Sequence, residues 1–287
     1  MMAVGRDIVA EMPVPGQAQP VRIMLHVPGG SPPASGWPVL YMVDGNAVFA
    51  TARDALRAQA PYPAGTGIAP GVIAAVGYPV ETAYDPVRRS WDLTPPPGRR
   101  YPAASGGGAA VRTGGAEGFR DVLATTVMPW VAAAAPVDGR RRTLFGHSFG
   151  GLFALFTLFT RPGLFDTIVA ASPALSWEDG AVRPFEDGFR PPDGSPCRRV
   201  HLSAGEWEGD ALAPFQRDAP DAAERLAQKR EIRTLAMARA LAERLNTRHA
   251  GRVAATYETF AGENHMSVLP VAVNRAVRAA FAVAPPG

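Results

Sequence analysis

Five consecutive residues, Gly146-His147-Ser148-Phe149-Gly150, set a hydroxyl between two glycines in the spacing G-x-S-x-G, and Gly151 extends the run. A serine hydroxyl attacks a carbonyl carbon only when a base accepts its proton, so this spacing carries chemistry only in company with a histidine and a group that orients it. The glycines have a steric reason. A sharp turn holds the serine backbone in a strained conformation, and side chains at 146 and 150 would collide across it. The apolar residues 143–146 predict a short strand before the serine, and 149–160 predict an apolar helix after it, which together are the strand-turn-helix of a nucleophile elbow. The plainer alternative is a glycine-rich turn whose serine only caps the helix.

An elbow of this kind orders its partners Ser, acid, His along the chain, which places the base near the C-terminus. His265, in Phe260-Ala261-Gly262-Glu263-Asn264-His265, lies in the turn between the last predicted strand and the last helix and is the candidate base. His201 falls inside a strand, His249 ends a helix and His147 is held in the elbow. For the acid, Gly205-Glu206-Trp207-Glu208-Gly209-Asp210 offers three carboxylates after the penultimate strand. Glu208 is favoured, because a short loop carries the residue three beyond the strand-ending glycine over the sheet edge toward the histidine. Glu206 is the alternative acid and Asp210 the third, and any two of them can be solvated loop charges. An oxyanion hole needs two backbone N–H groups, one from the residue after the nucleophile, Phe149, and one from the loop after an inner strand, where Asn46 follows Asp44-Gly45. Asp44-Gly45-Asn46 also reads as an ordinary turn.

These residues need a scaffold. Residues 21–27 alternate in polarity and predict a half-exposed strand near a sheet edge, whereas 39–43 are apolar on both faces and predict an interior parallel strand. Further strands are expected at 71–77, 167–171, 199–204 and 253–260. Helices are expected at 47–60, at 117–135 with a bend at Pro129, at 267–281, and, as the longest, at 221–246, where Leu226, Leu235, Met237, Leu241 and Leu245 form an apolar side. Strands and helices that alternate throughout predict a mainly parallel sheet with helices on both faces, in a single domain spanning 1–287; together with the nucleophile elbow this reads as an α/β-hydrolase fold of about eight strands. Residues 79–116, rich in Pro, Gly and Arg, read as an inserted irregular loop that covers the site.

Composition narrows the possible partners. In 287 residues, 29 basic and 26 acidic side chains leave a net charge of only +3, too little to argue for a nucleic-acid binder. Lys229 is the only lysine, so nearly all positive charge is guanidinium. A single cysteine excludes an internal disulfide and any cysteine-based metal cluster, and the five histidines show no metal-binding spacing. No apolar run approaches 18 residues, and the opening Met1-Met2-Ala3-Val4-Gly5-Arg6-Asp7 lacks a basic stretch followed by an apolar one. The expectation is a cytoplasmic enzyme with no membrane partner that needs neither metal nor organic cofactor.

Several segments together resemble the enterobactin and salmochelin (trilactone siderophore) esterases, the IroE-type branch of the esterase D-like α/β hydrolases. They are Val39-Leu40-Tyr41-Met42-Val43-Asp44-Gly45-Asn46, Arg89-Ser90-Trp91-Asp92-Leu93-Thr94-Pro95, Gly114-Gly115-Ala116-Glu117-Gly118-Phe119, Gly146 to Phe153, Ala171-Ser172-Pro173-Ala174-Leu175, Gly205-Glu206-Trp207-Glu208 and Gly262-Glu263-Asn264-His265. The resemblance implies hydrolysis of ester bonds in a cyclic trilactone of catecholoyl-serine, with Ser148 and His265 matching the family's nucleophile and base. Some members work with a Ser-His dyad, so the resemblance leaves the acid open.

A ferric tris-catecholate is trianionic, and Arg88 and Arg89, with Trp91 and Asp92 beside them and Arg99 and Arg100 beyond, are candidate substrate-binding residues through ion pairing and stacking. The competing reading has Arg89 pairing with Asp92 or Asp85 to hold the loop while the other arginines face solvent. Three functions therefore compete: hydrolysis of an apo or ferric siderophore or related polyester, general carboxylesterase action on small acyl esters, and non-catalytic binding by a hydrolase fold.

Overall fold

The computed structural model describes residues 5–14, 17–101, 110–191 and 193–283. Each segment read as a strand from its apolar run forms one: β2 (Val21–Val27), β3 (Trp37–Val43), β4 (Val72–Gly77), β7 (Val137–His147), β8 (Thr167–Ala171), β9 (Arg198–Gly205) and β10 (Val253–Phe260). An eighth, β1 (Arg6–Met12), precedes them, and β5 (Arg100–Tyr101) with β6 (Val111–Arg112) makes a separate two-stranded ribbon. The large sheet has the order β1-β2-β4-β3-β7-β8-β9-β10. β1 and β2 run antiparallel to their neighbours and the rest pair in parallel.

The helices are α1 (Gly45–Gln59), α2 (Pro63–Thr66), α3 (Pro86–Asp92), α4 (Ala116–Val122), α5 (Met128–Ala134), α6 (Phe149–Thr160), α7 (Trp177–Gly180), α8 (Arg183–Gly188), α9 (Ala222–Ile232), α10 (Thr234–Arg248) and α11 (Val268–Phe281). Because successive strand residues point to opposite faces, β3 feeds two cores. Leu40 and Met42 pack with α1 and α11 on one face, while Val39, Tyr41 and Val43 join α6 and α10 on the other. Every residue of β3 is buried, as its unbroken apolar run requires. Fully burying a side chain such as Leu40 or Phe145 contributes about 2 kcal/mol. The eight-stranded α/β-hydrolase architecture expected from the alternation together with the elbow is thus present, with a site edge where β3, β7, β8, β9 and β10 end together.

Local structure departs from the sequence reading in four places. β2 lies near the sheet edge as expected, next to the edge strand β1, but is mostly buried rather than half-exposed. The segment 79–116 is not irregular throughout: Asp85 accepts hydrogen bonds from the N–H groups of Val87 and Arg88 and, with Pro86 in the first turn, starts α3. The helix expected over 117–135 opens into a π turn at Leu123–Val127 just before Pro129, whose missing N–H cannot continue the α ladder. The long helix expected over 221–246 is two helices. Arg233 adopts φ 54°, ψ 38° between α9 and α10, so α10 can bury Ala238, Leu241, Ala242 and Leu245 while α9, which buries no residue, turns aside.

Candidate active site

β7 ends at His147 and α6 begins at Phe149, leaving Ser148 alone in the turn at φ 58°, ψ −116°. This conformation costs free energy for any residue with a Cβ, and the surrounding turn enforces it. Glycine at 146 is mandatory: a Cβ there would lie 2.0 Å from the carbonyl oxygen of Gly150. The Ser148 N–H donates to Ala171 O at 3.0 Å, tying the elbow to the end of β8. Phe149 opens α6, and the first-turn amides of a helix have no acceptor within it.

His265 and Glu208 arrive from neighbouring parallel strands. β10 and β9 pair in register up to Phe260 and Gly205, so the loops that follow them leave the sheet side by side. They are stitched together: the Trp207 N–H donates to Glu263 O at 2.8 Å, and a Cβ on Gly205 would come within 2.5 Å of the same oxygen. Asn264 Oδ1 accepts from the N–H groups of Met266 and Ser267, which turns the chain just past His265. His265 Nδ1 then stands 2.7 Å from Glu208 Oε2, and its Nε2 3.1 Å from Ser148 Oγ. An ionised carboxylate only accepts, so Nδ1 carries the proton and the Nε2 lone pair faces the serine hydroxyl.

Ser172, which sequence reasoning used only as part of a family segment, holds the other oxygen of that carboxylate. Its Oγ–H donates to Glu208 Oε1 at 2.5 Å and the Gly205 N–H donates to the same atom at 2.8 Å. Burial by itself pushes the Glu208 carboxyl up, but the bonds from His265, Ser172 and Gly205 outweigh it and hold the group below its usual range. Ser172 is 1% exposed and sits at φ 43°, an uncommon conformation for serine. Ser172→Ala is expected to move the Glu208 titration upward in a carboxyl-carbon NMR titration and to cost about 2 kcal/mol of stability for the lost charge-assisted bond. An unmoved Glu208 titration would deny Ser172 any influence on the carboxylate.

His147, between Gly146 and Ser148, is buried, and its Nε2–H donates to the carbonyl oxygen of His265 at 2.7 Å; the two rings lie 4.7 Å apart. Burial, and then the neighbouring His265, lower its pKa to about 3. The unfolded chain, near the usual 6.5, takes up a proton that the folded one refuses. The stability this neutral ring supports is therefore complete above pH 6.5 and is lost as the pH falls toward 3. Urea unfolding at pH 7 and pH 5 should differ by about 2 kcal/mol from this group alone, and the His147→Asn protein should lack that increment. Equal pH slopes in the two proteins would rule it out.

The other sequence candidates fall elsewhere. Glu206 is exposed, and its Oε2 accepts from the Gly262 N–H at 2.7 Å, so it braces the two loops rather than touching His265. Asp210 is exposed beyond them. Asn46, in the first turn of α1, uses its side chain as a clamp: Nδ2 donates to Tyr78 O and Val80 O, and Oδ1 accepts from the Tyr78 N–H.

Arg88, Arg89, Trp91 and Asp92, the candidate substrate-binding residues, are not among the residues that line the cavity opening onto Ser148. Arg89 makes a two-pronged bond to Asp44 (3.0 and 2.9 Å), not to Asp85 or Asp92, with its guanidinium 5.2 Å from the Phe149 ring. Arg88 donates to Gln19 O and Pro20 O and lies 3.4 Å from Asp92. Asp92 is wholly buried, and Trp91 lies beneath Arg112 at 4.4 Å. Buried carboxylates at 44 and 92 need counter-charges, and the two arginines serve them. Arg99 pairs with Asp179 and Arg100 is exposed on the ribbon.

The cavity has a volume of about 990 Å³ and is walled by Trp177, Trp207, Phe215, Ile232, Met237 and Met266, with Ser148 and His265 on its floor. Much of that wall comes from the turn after β9 and from α9, the helix displaced by the break at Arg233. Among the described residues no group of three or more His, Cys, Asp or Glu is placed to hold a metal ion, and no helix is long and apolar enough to cross a membrane.

A mostly parallel sheet with a serine in a positive-φ elbow and a histidine from the last loop defines an α/β hydrolase. The chain belongs to the esterase family: the sequence profile described as "Putative esterase" matches residues 17–265. It is 34% identical over 268 residues to the ferri-bacillibactin esterase BesA of Bacillus subtilis, covering 92% of this chain and 85% of the relative. It is 37% identical over 260 residues to the siderophore triacetylfusarinine C esterase of Aspergillus fumigatus, covering 85% of this chain and 81% of the relative. The structure of the BES protein from Bacillus cereus superposes with a TM-score of 0.79 at 28% identity, covering 96% and 95% of the two chains. The protein is accordingly a carboxylic ester hydrolase acting on a small-molecule substrate.

Proposed function

We propose that the protein hydrolyses ester bonds of a siderophore through an acyl-enzyme on Ser148, with His265 as the base and Glu208 as the acid that orients it. The observation that carries this reading is the unbroken run of contacts from Ser148 Oγ through His265 to Glu208. The siderophore itself is suggested by the names of the two relatives above.

In this mechanism His265 Nε2 takes the Ser148 proton as Oγ attacks the ester carbonyl carbon. The N–H groups of Phe149 and Asn46 hold the resulting oxyanion. Collapse breaks the bond to the alcohol, which leaves with the proton from His265; water, deprotonated by the same nitrogen, then releases the acid and restores Ser148. Burial of Glu208 beside His265 stabilises the imidazolium that forms at each transfer, and the Ser172 and Gly205 donors keep the carboxylate ionised while it does so.

Two measurements test the proposal. A fluorophosphonate probe should label Ser148, located by peptide mass spectrometry, and turnover of ester without label at Ser148 would overturn the assigned nucleophile. Incubation with ester-linked siderophores should give linear products by chromatography. Cleavage of simple 4-nitrophenyl esters with no siderophore cleaved would leave the esterase but remove the siderophore.

A further inference from the structure

A strained turn borders the cavity. Glu178, Asp179 and Gly180 follow one another at φ 47°, 60° and 81°, so the chain turns left-handed over three residues. Such a conformation costs free energy at each residue with a Cβ, and a succession of them persists only where the surroundings enforce it. The enforcing contacts come from the segment 79–116. Glu178 Oε1 accepts from Thr113 Oγ1 at 2.7 Å and from the Tyr101 hydroxyl at 3.1 Å, and Arg99 donates to Asp179 at 2.9 Å. Arg99 and Asp179 are both exposed, whereas Thr113 is buried, so the bonds to Glu178 supply most of the restraint. Neither Thr113 nor Tyr101 is among the residues that line the cavity.

What the turn holds is Trp177, the residue just before it. The Trp177 N–H donates to Ala174 O at 3.1 Å, and its carbonyl oxygen accepts from the Ala181 N–H at 3.0 Å, across the left-handed run. Its indole meets the Phe149 ring edge to face, 4.5 Å between centres, lies 5.6 Å from the Tyr101 ring, and walls the cavity that holds Ser148. The indole Nε1–H is buried and meets no acceptor among the described residues. Ring contacts and the backbone therefore orient this wall, with no hydrogen bond of its own to keep it there.

From this arrangement we infer that Trp177 is a specificity-determining residue that limits the bulk of the ester group lying beside Ser148. Thr113 and Tyr101 are positioning residues that set this limit from outside the cavity, by holding the left-handed turn. Without their bonds to Glu178 the turn relaxes toward ordinary backbone, which draws the indole away from Phe149 and widens the site. The inference rests on Ser148 as the nucleophile only in placing the scissile bond, and on no particular siderophore.

The test uses the intact protein and two pairs of esters. One pair, 4-nitrophenyl benzoate and 4-nitrophenyl acetate, varies the acyl side; the other, 1-naphthyl acetate and phenyl acetate, varies the alcohol side. On the side that Trp177 faces, Trp177→Ala should raise the ratio of bulky to small kcat/KM about tenfold. Thr113→Val combined with Tyr101→Phe should raise the same ratio about threefold. Tyr101→Phe alone, which keeps the ring against Trp177 and removes only the hydroxyl, should raise it about twofold. A role confined to stability would lower kcat/KM for both members of a pair by one factor and leave the ratio unmoved. Ratios unmoved on both sides in Trp177→Ala, or moved there but not in the Thr113 and Tyr101 variants, would overturn the inference. Should esters turn over without fluorophosphonate label at Ser148 while the ratios still rise, the assigned nucleophile fails and the role of Trp177 stands.

Discussion

Ser148→Ala is expected to lower kcat/KM for 4-nitrophenyl acetate on the order of 10⁵-fold, a loss of about 7 kcal/mol of transition-state stabilisation. The proposed covalent step passes through Oγ, and no other hydroxyl is in hydrogen-bond contact with His265 Nε2 among the described residues. What activity remains comes from the oxyanion donors and substrate positioning, which the substitution leaves in place. The fold should survive. The backbone at 148 is held at positive φ for serine and alanine alike, and neighbouring bonds such as Ser148 N–H to Ala171 O belong to the main chain. Thermal unfolding within a few degrees of the wild type, together with lost turnover, is the expected pair of results. Equal turnover by the variant would sink the serine mechanism.

Glu208→Gln is expected to cost about 10³–10⁴-fold, mainly in kcat, while Glu206→Gln costs no more than a few-fold. The size of the first effect follows from which way the new amide must point. Ser172 Oγ–H and Gly205 N–H both donate to the Oε1 position, so the amide oxygen is drawn there and the NH₂ group turns toward His265. An N–H facing Nδ1 requires a lone pair on Nδ1, which moves the imidazole proton to Nε2 and points it at Ser148. The base is then in the wrong tautomer, although nothing has moved. Glu206 has no such coupling, since its carboxylate accepts from the Gly262 N–H. Comparable losses in the two variants would mean that the carboxylate contact at 2.7 Å is not what orients His265.

The three members of the contact chain differ in how far local sequence announces them. Ser148 is legible because its environment is built from adjacent residues: the glycine at 146, the strand before and the apolar helix after all lie within one stretch of chain. His265 follows from chain order together with the failure of the other histidines to fall in a loop. Glu206 and Glu208, by contrast, are both acidic and two residues apart, and the short helical turn Glu206–Glu208 sends one carboxylate into the site and the other onto the next loop. Ser172 is 36 residues from the carboxylate it holds, and only the pairing of β8 with β9 brings them together.

The arginines show the same limit from the other side. Their number and their position beside Trp91 and Asp92 suggested an anion-binding surface. Composition carries no information about which buried acid each guanidinium meets, and Asp44 is 45 residues from Arg89. The break at Arg233 was equally hidden, because helix formers flank it on both sides and the apolar pattern of 221–246 continues through it.

By itself, then, the sequence determined what rests on short-range physics: alternation of strand and helix, the buried run of β3, the elbow with its serine and the loop that carries His265. The tertiary structure alone decided which carboxylate faces that histidine, which hydroxyl steadies it, where the positive charges are spent and what walls the cavity. Those outcomes depend on hydrogen bonds and ion pairs between residues far apart in the chain. Such contacts compete for a few partners at one sheet edge, and no periodicity or spacing records the result.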